Sequence, residues 1–281
     1  MSAPIAPAGR EGQTFGGSSR FIRYANFVKL PHTLFALPFA LVGVTIASYV
    51  KDVKLVDIVW VAVAFTSARF AAMGFNRIAD RRIDALNPRT AARELPSGAM
   101  SVREASIAVL AASAIFLGAA WMLNPLCFAL SPIALGWVLF YSYTKRFTRW
   151  AHLALGVGMS IAPVGGYLAV TGAWSQPWWV LIALALAVMS WGGGFDIFYA
   201  LQDIDFDRAH GLHSIPAKHG TGPAIAIARA LHLGTVAMLT LVGVGIGAGA
   251  LYWAGVCVVA LLLIYEHSLV RPADLSRLDA A

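Results

Sequence analysis

Eight stretches made almost wholly of apolar residues divide the chain, at about 27–50, 56–77, 104–122, 125–143, 151–170, 177–200, 222–245 and 249–267. Each is near the roughly 20 residues that an α-helix needs to cross a bilayer. The run lengths predict an all-α, polytopic membrane bundle with eight spans. Two of the connecting segments, 78–103 and 201–221, are long and polar. Others are short, such as "LNP", "TGAWSQP" and "GIGAG". Residues 1–22, rich in Gly, Ser, Ala and Pro with no apolar core, read as a disordered tail and not as a cleaved signal peptide. Residues 23–270 are then the membrane domain and 271–281 a cytoplasmic tail.

Polar residues at two helix ends follow a helical period. Arg69, Asn76, Asp80 and Asp84 stand at offsets of seven, four and four, which keeps them on one broad face. Asp196, Tyr199, Asp203 and Asp207 repeat the idea at offsets of three, four and four. Asp205 falls off that face and reads as a solvated rim residue. Acid groups at a span are costly, about 2.5–3.5 kcal/mol each at a helix centre, so these faces are expected to line a wet cavity shared by the two halves.

Composition agrees with a membrane protein. The chain is 59% hydrophobic and 12% charged, with a mean hydropathy of +0.70; a soluble domain carries about 25% charge. The net charge of +7 does not indicate nucleic acid, because the basic residues sit in loops between spans and form no single surface. Seventeen of the 21 Lys and Arg fall on one side, against Lys51 and Lys54 on the other, with Arg69 and Arg229 inside helices. The positive-inside rule places the larger group, and both long polar loops, in the cytoplasm of a bacterial-type inner membrane. Cys127 and Cys257 lie in apolar runs without metal-ligand spacing and read as small hydrophobes.

Two sets of hard oxygen donors beside Arg69, Arg77, Lys145 and Arg146 suit Mg²⁺ held together with a substrate phosphate. A diphosphate leaving group fits, since metal and cationic donors stabilise the charge that grows on departure. The apolar spans would hold a lipid tail. Two other classes compete: a CDP-alcohol phosphotransferase, whose DG…AR…G…D…D pattern is missing here, and a cation-coupled transporter, whose carboxylates should sit nearer midplane.

"NRIADRRID" (Asn76, Asp80, Asp84) and "DIFYALQDIDFD" (Asp196, Asp203, Asp207) resemble the two Asp-rich motifs of the UbiA superfamily of intramembrane aromatic prenyltransferases. Arg69, "RELPSG" (93–98), "YSYTKRFT" (141–148) and "GLHSIP" (211–216) extend the resemblance in the same order from about residue 22 to 270. It implies a helical bundle around a central cavity, usually of nine helices; the ninth is then absent or lies beyond this sequence. It also implies Mg²⁺-dependent ionisation of a polyprenyl diphosphate and attack of the allylic cation on a small aromatic acid. Carried over residue by residue, Asn76, Asp80, Asp84, Asp203 and Asp207 hold Mg²⁺, while Arg69, Lys145, Arg146 and Asn76 contact the diphosphate. Asp196 orients or deprotonates the aromatic hydroxyl, and Tyr141 and Tyr199 shield the cation. The stretch "FVKLPHTLFALPFALVG" (27–43) looks most like the menaquinone (futalosine) branch, whose acceptor is a dihydroxynaphthoate; the 4-hydroxybenzoate enzymes of ubiquinone synthesis share both Asp motifs. His32 is a candidate acceptor contact, and His213 stands where the family often has a phosphate-binding Lys.

Overall fold

The structure, a computed structural model, describes residues 15, 16, 19–272, 275 and 278, with the side chains of His32, Leu34 and Phe35 excepted. The contact expected of His32 therefore lies outside the described residues. The described chain is helical throughout: α1 (Arg20–Phe27), α2 (Leu30–Ala47), α3 (Leu55–Leu86), α4 (Val102–Leu123), α5 (Pro125–Phe140), α6 (Ala151–Thr171), α7 (Trp179–Ala200), α8 (Ile204–Ala209), α9 (Ile215–His219), α10 (Thr221–Gly245) and α11 (Ala250–Leu269). Tyr141–Arg146 and Leu201–Asp203 are 3₁₀ turns.

Seven helices among the described residues are long and apolar enough to cross a membrane, one fewer than the eight expected. The difference lies at the first span. Its expected start at residue 27 is the end of α1, and the chain turns at Lys29 with φ 46° before α2 begins. Pro31 sits in the first turn of α2, where its missing N–H is not needed. α2 itself is 18 residues long, and only Ala36–Ala47 of it has every side chain described, which is why it is not among the seven. At the N-terminus, residues 20–22 of the expected tail already belong to α1, while 1–14, 17 and 18 lie outside the described residues.

The second difference is the length of α3. It continues to Leu86, so the first nine residues of the expected 78–103 loop are helical. No Gly or Pro interrupts them, and the helix ends at Asn87 because Pro88 disfavours helical backbone in the residue before it. Asp80 and Asp84 thus stand on a continued helix.

The chain divides into two compact units, Gly9–Ser142 with Ala162–Ala173, and Tyr143–Ile161 with Trp174–Ala281. In the first, α3 packs along α4, and Phe27, Val28, Met100 and Ala105 form a core with Phe70 and Ile78. Ser101 caps α4 by accepting from the Glu104 N–H, and Asn124 caps α5 from the Cys127 N–H. In the second unit, α7 packs along α10 over a core of Ile197, Leu201, Ile215 and Ile225. Leu275 and Leu278, from the expected cytoplasmic tail, pack against this core beside the fully buried Val270. Gly192, Gly193 and Gly194 serve close helix approach: a Cβ would meet Met159 Sδ at 2.8 Å from Gly192, Leu153 Cδ2 at 3.0 Å from Gly193, and the His232 ring from Gly194. They let α6 and α10 close on α7 just before Asp196.

Candidate active site

In the first unit the acidic face of α3 is buried. Asp80 is 2% exposed and accepts from Asn76 Nδ2 at 3.2 Å, the i,i+4 contact that the spacing predicts. Asp84, also buried, takes Arg93 Nη1 between its two carboxylate oxygens at 2.9 and 3.0 Å. Thr90 Oγ1 donates to the Asp84 carbonyl at 3.0 Å. Arg77 ion-pairs with Glu94 at 3.3 Å, both side chains being over nine-tenths buried. Arg77, counted above among the cations available to a phosphate, is therefore a structural partner of the "RELPSG" loop. Arg93 and Glu94 fasten that loop to the end of α3. Their roles had no signal in the helical spacing, because the loop's path decides which acid each one meets. Arg77→Met would strand the buried Glu94 and is expected to cost about 3–5 kcal/mol. A thermal melt in detergent measures it, and an unchanged melting temperature would rule out a stabilising pair.

Arg69 lies on α3 with its Nε buried and without a hydrogen-bond partner; the Tyr141 phenol is its electrostatic neighbour. Tyr141 opens the 3₁₀ turn that ends in Lys145 and Arg146. The Arg146 guanidinium lies over the Tyr143 ring, 4.9 Å from its centre. Cation–π packing of this kind keeps the group extended while it stays exposed.

The second unit departs from a single helical face. α7 stops at Ala200, where the Leu201 N–H reaches the carbonyls of Ile197, Phe198 and Tyr199, and the chain tightens into the 3₁₀ turn before α8. Asp196 and Tyr199 therefore sit on α7, Asp203 at the N-cap of α8 and Asp207 within its first turn. Asp205 is exposed, as its offset predicts. Ser214 Oγ donates to Asp207 Oδ2 at 2.8 Å, and the His213 N–H donates to the Lys145 carbonyl at 2.8 Å. The His213 side chain is exposed. Asp196 Oδ2 lies 2.7 Å from His152 Nδ1, and His152 Nε2 accepts from the Ile215 N–H at 3.2 Å. His152 was not singled out in the sequence; it lies 44 residues before Asp196 and 63 before Ile215, beyond any local pattern.

Among the described residues no three His, Cys, Asp or Glu side chains gather closely enough to hold a metal by themselves. The donors present are hard carboxylate oxygens in pairs, which fits a Mg²⁺ that draws the rest of its shell from water and substrate phosphate.

Long apolar helices with buried acids and cations at their ends define an integral membrane enzyme. Residues 36–281 match the UbiA prenyltransferase family, and the chain belongs to it. It is a prenyltransferase, which disposes of the phosphotransferase and transporter alternatives. Among its relatives, the 4-hydroxybenzoate octaprenyltransferase of Vibrio atlanticus (strain LGP32) is 32% identical over 207 residues, 73% of this chain and 71% of the relative. The enzyme of the same description from Shewanella woodyi (strain ATCC 51908 / MS32) is 29% identical over 252 residues, 89% and 86% of the two chains. The apo structure of a UbiA homologue from Aeropyrum pernix K1 is 38% identical with a TM-score of 0.80, covering 85% of this chain and 88% of that one. A homologue from Archaeoglobus fulgidus bound to DMAPP and Mg²⁺ shares the fold at a TM-score of 0.72 and 22% identity, covering 88% and 86%.

Proposed function

We propose that this protein transfers a polyprenyl group from its diphosphate to 4-hydroxybenzoate, at the cytoplasmic face of a bacterial inner membrane. The reading is carried by the repeat of acids at two span ends, Asp80 and Asp84 beside Asn76 on α3 and Asp203 and Asp207 about α8. Relatives named for this activity supply the acceptor. Asn76, Asp80, Asp84, Asp203 and Asp207 would hold Mg²⁺, which when bound neutralises the diphosphate and stabilises the charge left on it. Asp84 already accepts from Arg93 on both oxygens, so it would share its charge between that guanidinium and the metal.

The chain's own cations take the rest of the leaving group. Arg69, fixed within α3, binds phosphate oxygens, and Arg is suited to grip two at once. Lys145 adds a point charge from the 3₁₀ turn, whose backbone the His213 N–H holds. As the allylic carbon–oxygen bond breaks, its electron pair leaves with the diphosphate. The ring faces of Tyr141 and Tyr199 shield the cation from water and favour it electrostatically. Asp196, one oxygen bound by His152, uses the other to draw the hydroxyl proton of the acceptor, which raises the electron density of the ring. The new bond forms at a ring carbon beside that hydroxyl; this carbon then loses its proton to solvent or the departing diphosphate as the ring regains aromaticity, and Asp196 returns the proton it took to the phenolate oxygen.

The first-helix stretch 27–43 favours a second acceptor, a dihydroxynaphthoate. Membranes containing the protein, incubated with Mg²⁺, a polyprenyl diphosphate and each acid in turn, should yield prenylated 4-hydroxybenzoate by mass spectrometry. Product from the naphthoate alone would assign the other acceptor, and product from neither would overturn both.

A further inference from the structure

His152 enters the chemistry above only as the group that takes one oxygen of Asp196; it is 3% exposed and linked on both ring nitrogens. A main-chain N–H can only donate. The Ile215 amide, 3.2 Å from Nε2, therefore requires a lone pair there. The imidazole is then neutral, its single proton is on Nδ1, and that proton is donated to Asp196 Oδ2 at 2.7 Å. An imidazolium would point a second N–H at the Ile215 amide. The close nitrogen–carboxylate pair is thus a hydrogen bond from a neutral ring to an ionised acid, of the short, charge-assisted kind.

The Asp196 side chain is 28% exposed against 4% for His152, so the carboxylate is only partly covered. The oxygen taken by the ring is Oδ2. The element that fixes the ring is itself tied to other parts of the site. Three consecutive residues reach three groups: His213 N–H the Lys145 carbonyl, Ser214 Oγ the Asp207 carboxylate, and Ile215 N–H the ring beside Asp196. Ile215 is fully buried, and Ser214 also caps α9 by accepting from the Ala217 N–H, so the segment is held in place.

We propose that His152 is the positioning residue for Asp196. It holds the carboxylate turned so that Oδ1 alone meets the hydroxyl of the aromatic acceptor, with the 213–215 segment setting the tautomer of the ring. This rests on the assignment of Asp196 to the acceptor.

Two substitutions separate positioning from packing. In His152→Asn the amide nitrogen is two bonds from Cβ, as Nδ1 is, so the donor to Asp196 is kept and the Ile215 acceptor is lost. In His152→Gln the amide is three bonds away, as Nε2 is, so Ile215 keeps an acceptor and Asp196 loses its donor. His152→Gln should lower kcat by about tenfold or more, with KM for the prenyl diphosphate within about twofold. His152→Asn should recover most of that loss. Equal losses in the two variants, a loss confined to KM for the diphosphate, or a wild-type kcat in His152→Gln would overturn the proposal. If His152→Gln fails to accumulate in membranes, wild-type protein labelled with ¹⁵N-histidine decides. One ring should stay neutral with its proton on Nδ1 at neutral pH and should shift in Asp196→Asn, which separates it from His210 beside the Phe206 carbonyl; the absence of such a ring would overturn the proposal. Asp196→Asn, measured alongside, separates the two levels. A wild-type rate there would overturn the role of Asp196 and this inference with it, whereas a slow Asp196→Asn beside a wild-type-like His152→Gln would overturn this inference alone.

Discussion

Asp80→Asn is expected to lower turnover by on the order of 10²–10³ while the protein still inserts and accumulates in the membrane. The substitution keeps the shape of the side chain and removes its charge. Asn76 Nδ2 can still donate to the remaining amide oxygen, so the α3 end should hold its form. What is lost is a hard anionic oxygen, 2% exposed, at the end of a membrane helix. A buried acid there is expensive and earns its place only by binding a cation. Asp203→Asn should have an effect of the same size, since the Asp203 side chain makes no cap hydrogen bond at the start of α8 and the substitution removes only its charge. Product formed per inserted protein in proteoliposomes measures both. A wild-type-like rate in either would show that this carboxylate does not act on the leaving group.

Asp196→Asn should fail in a different way. Binding of the prenyl diphosphate should stay within about twofold of wild type, and transfer should slow by about 10²–10⁴, the usual worth of a positioned general base. Asp196 lies on α7, before the 3₁₀ turn, whereas Asp203 and Asp207 lie beyond its start and about α8. With the tautomer proposed for His152, the hydrogen-bond partner of Asp196 is a neutral ring rather than a cation, which leaves its charge available to a hydroxyl proton. Isotherms for an inert donor analogue and single-turnover rates, taken on the same preparation, separate binding from transfer. A parallel loss of both would move Asp196 among the metal-binding acids.

The parts of this arrangement that lie within one helix could be read from the sequence. The length of apolar runs gave seven of the eight expected spans, and the four-residue spacing of Asn76 and Asp80 gave their contact. The first span begins at Leu30 and not at residue 27, because the apolar residues run through the turn at Lys29 and hydropathy alone does not register a backbone break. The second acidic face was drawn as one continuous helix because nothing in "FYALQDID" marks a stop. Neither Gly nor Pro is present, and the 3₁₀ turn at Leu201–Asp203 rests on main-chain hydrogen bonds. Pairings set by the path of the chain were out of reach. Arg93 meets Asp84, Glu94 meets Arg77, and His152 meets Asp196 and Ile215 because loops and neighbouring helices return there. No periodicity encodes such meetings.

Binding of a prenyl thiodiphosphate, which cannot ionise readily, to the protein in nanodiscs with and without Mg²⁺ tests whether Asp80 and Asp203 both act through the metal on the donor. Binding should require Mg²⁺, and should weaken by about tenfold or more in Asp80→Asn and in Asp203→Asn taken singly. Equal affinity in the presence of EDTA, or full Mg²⁺-dependent affinity after the loss of either acid, would contradict it.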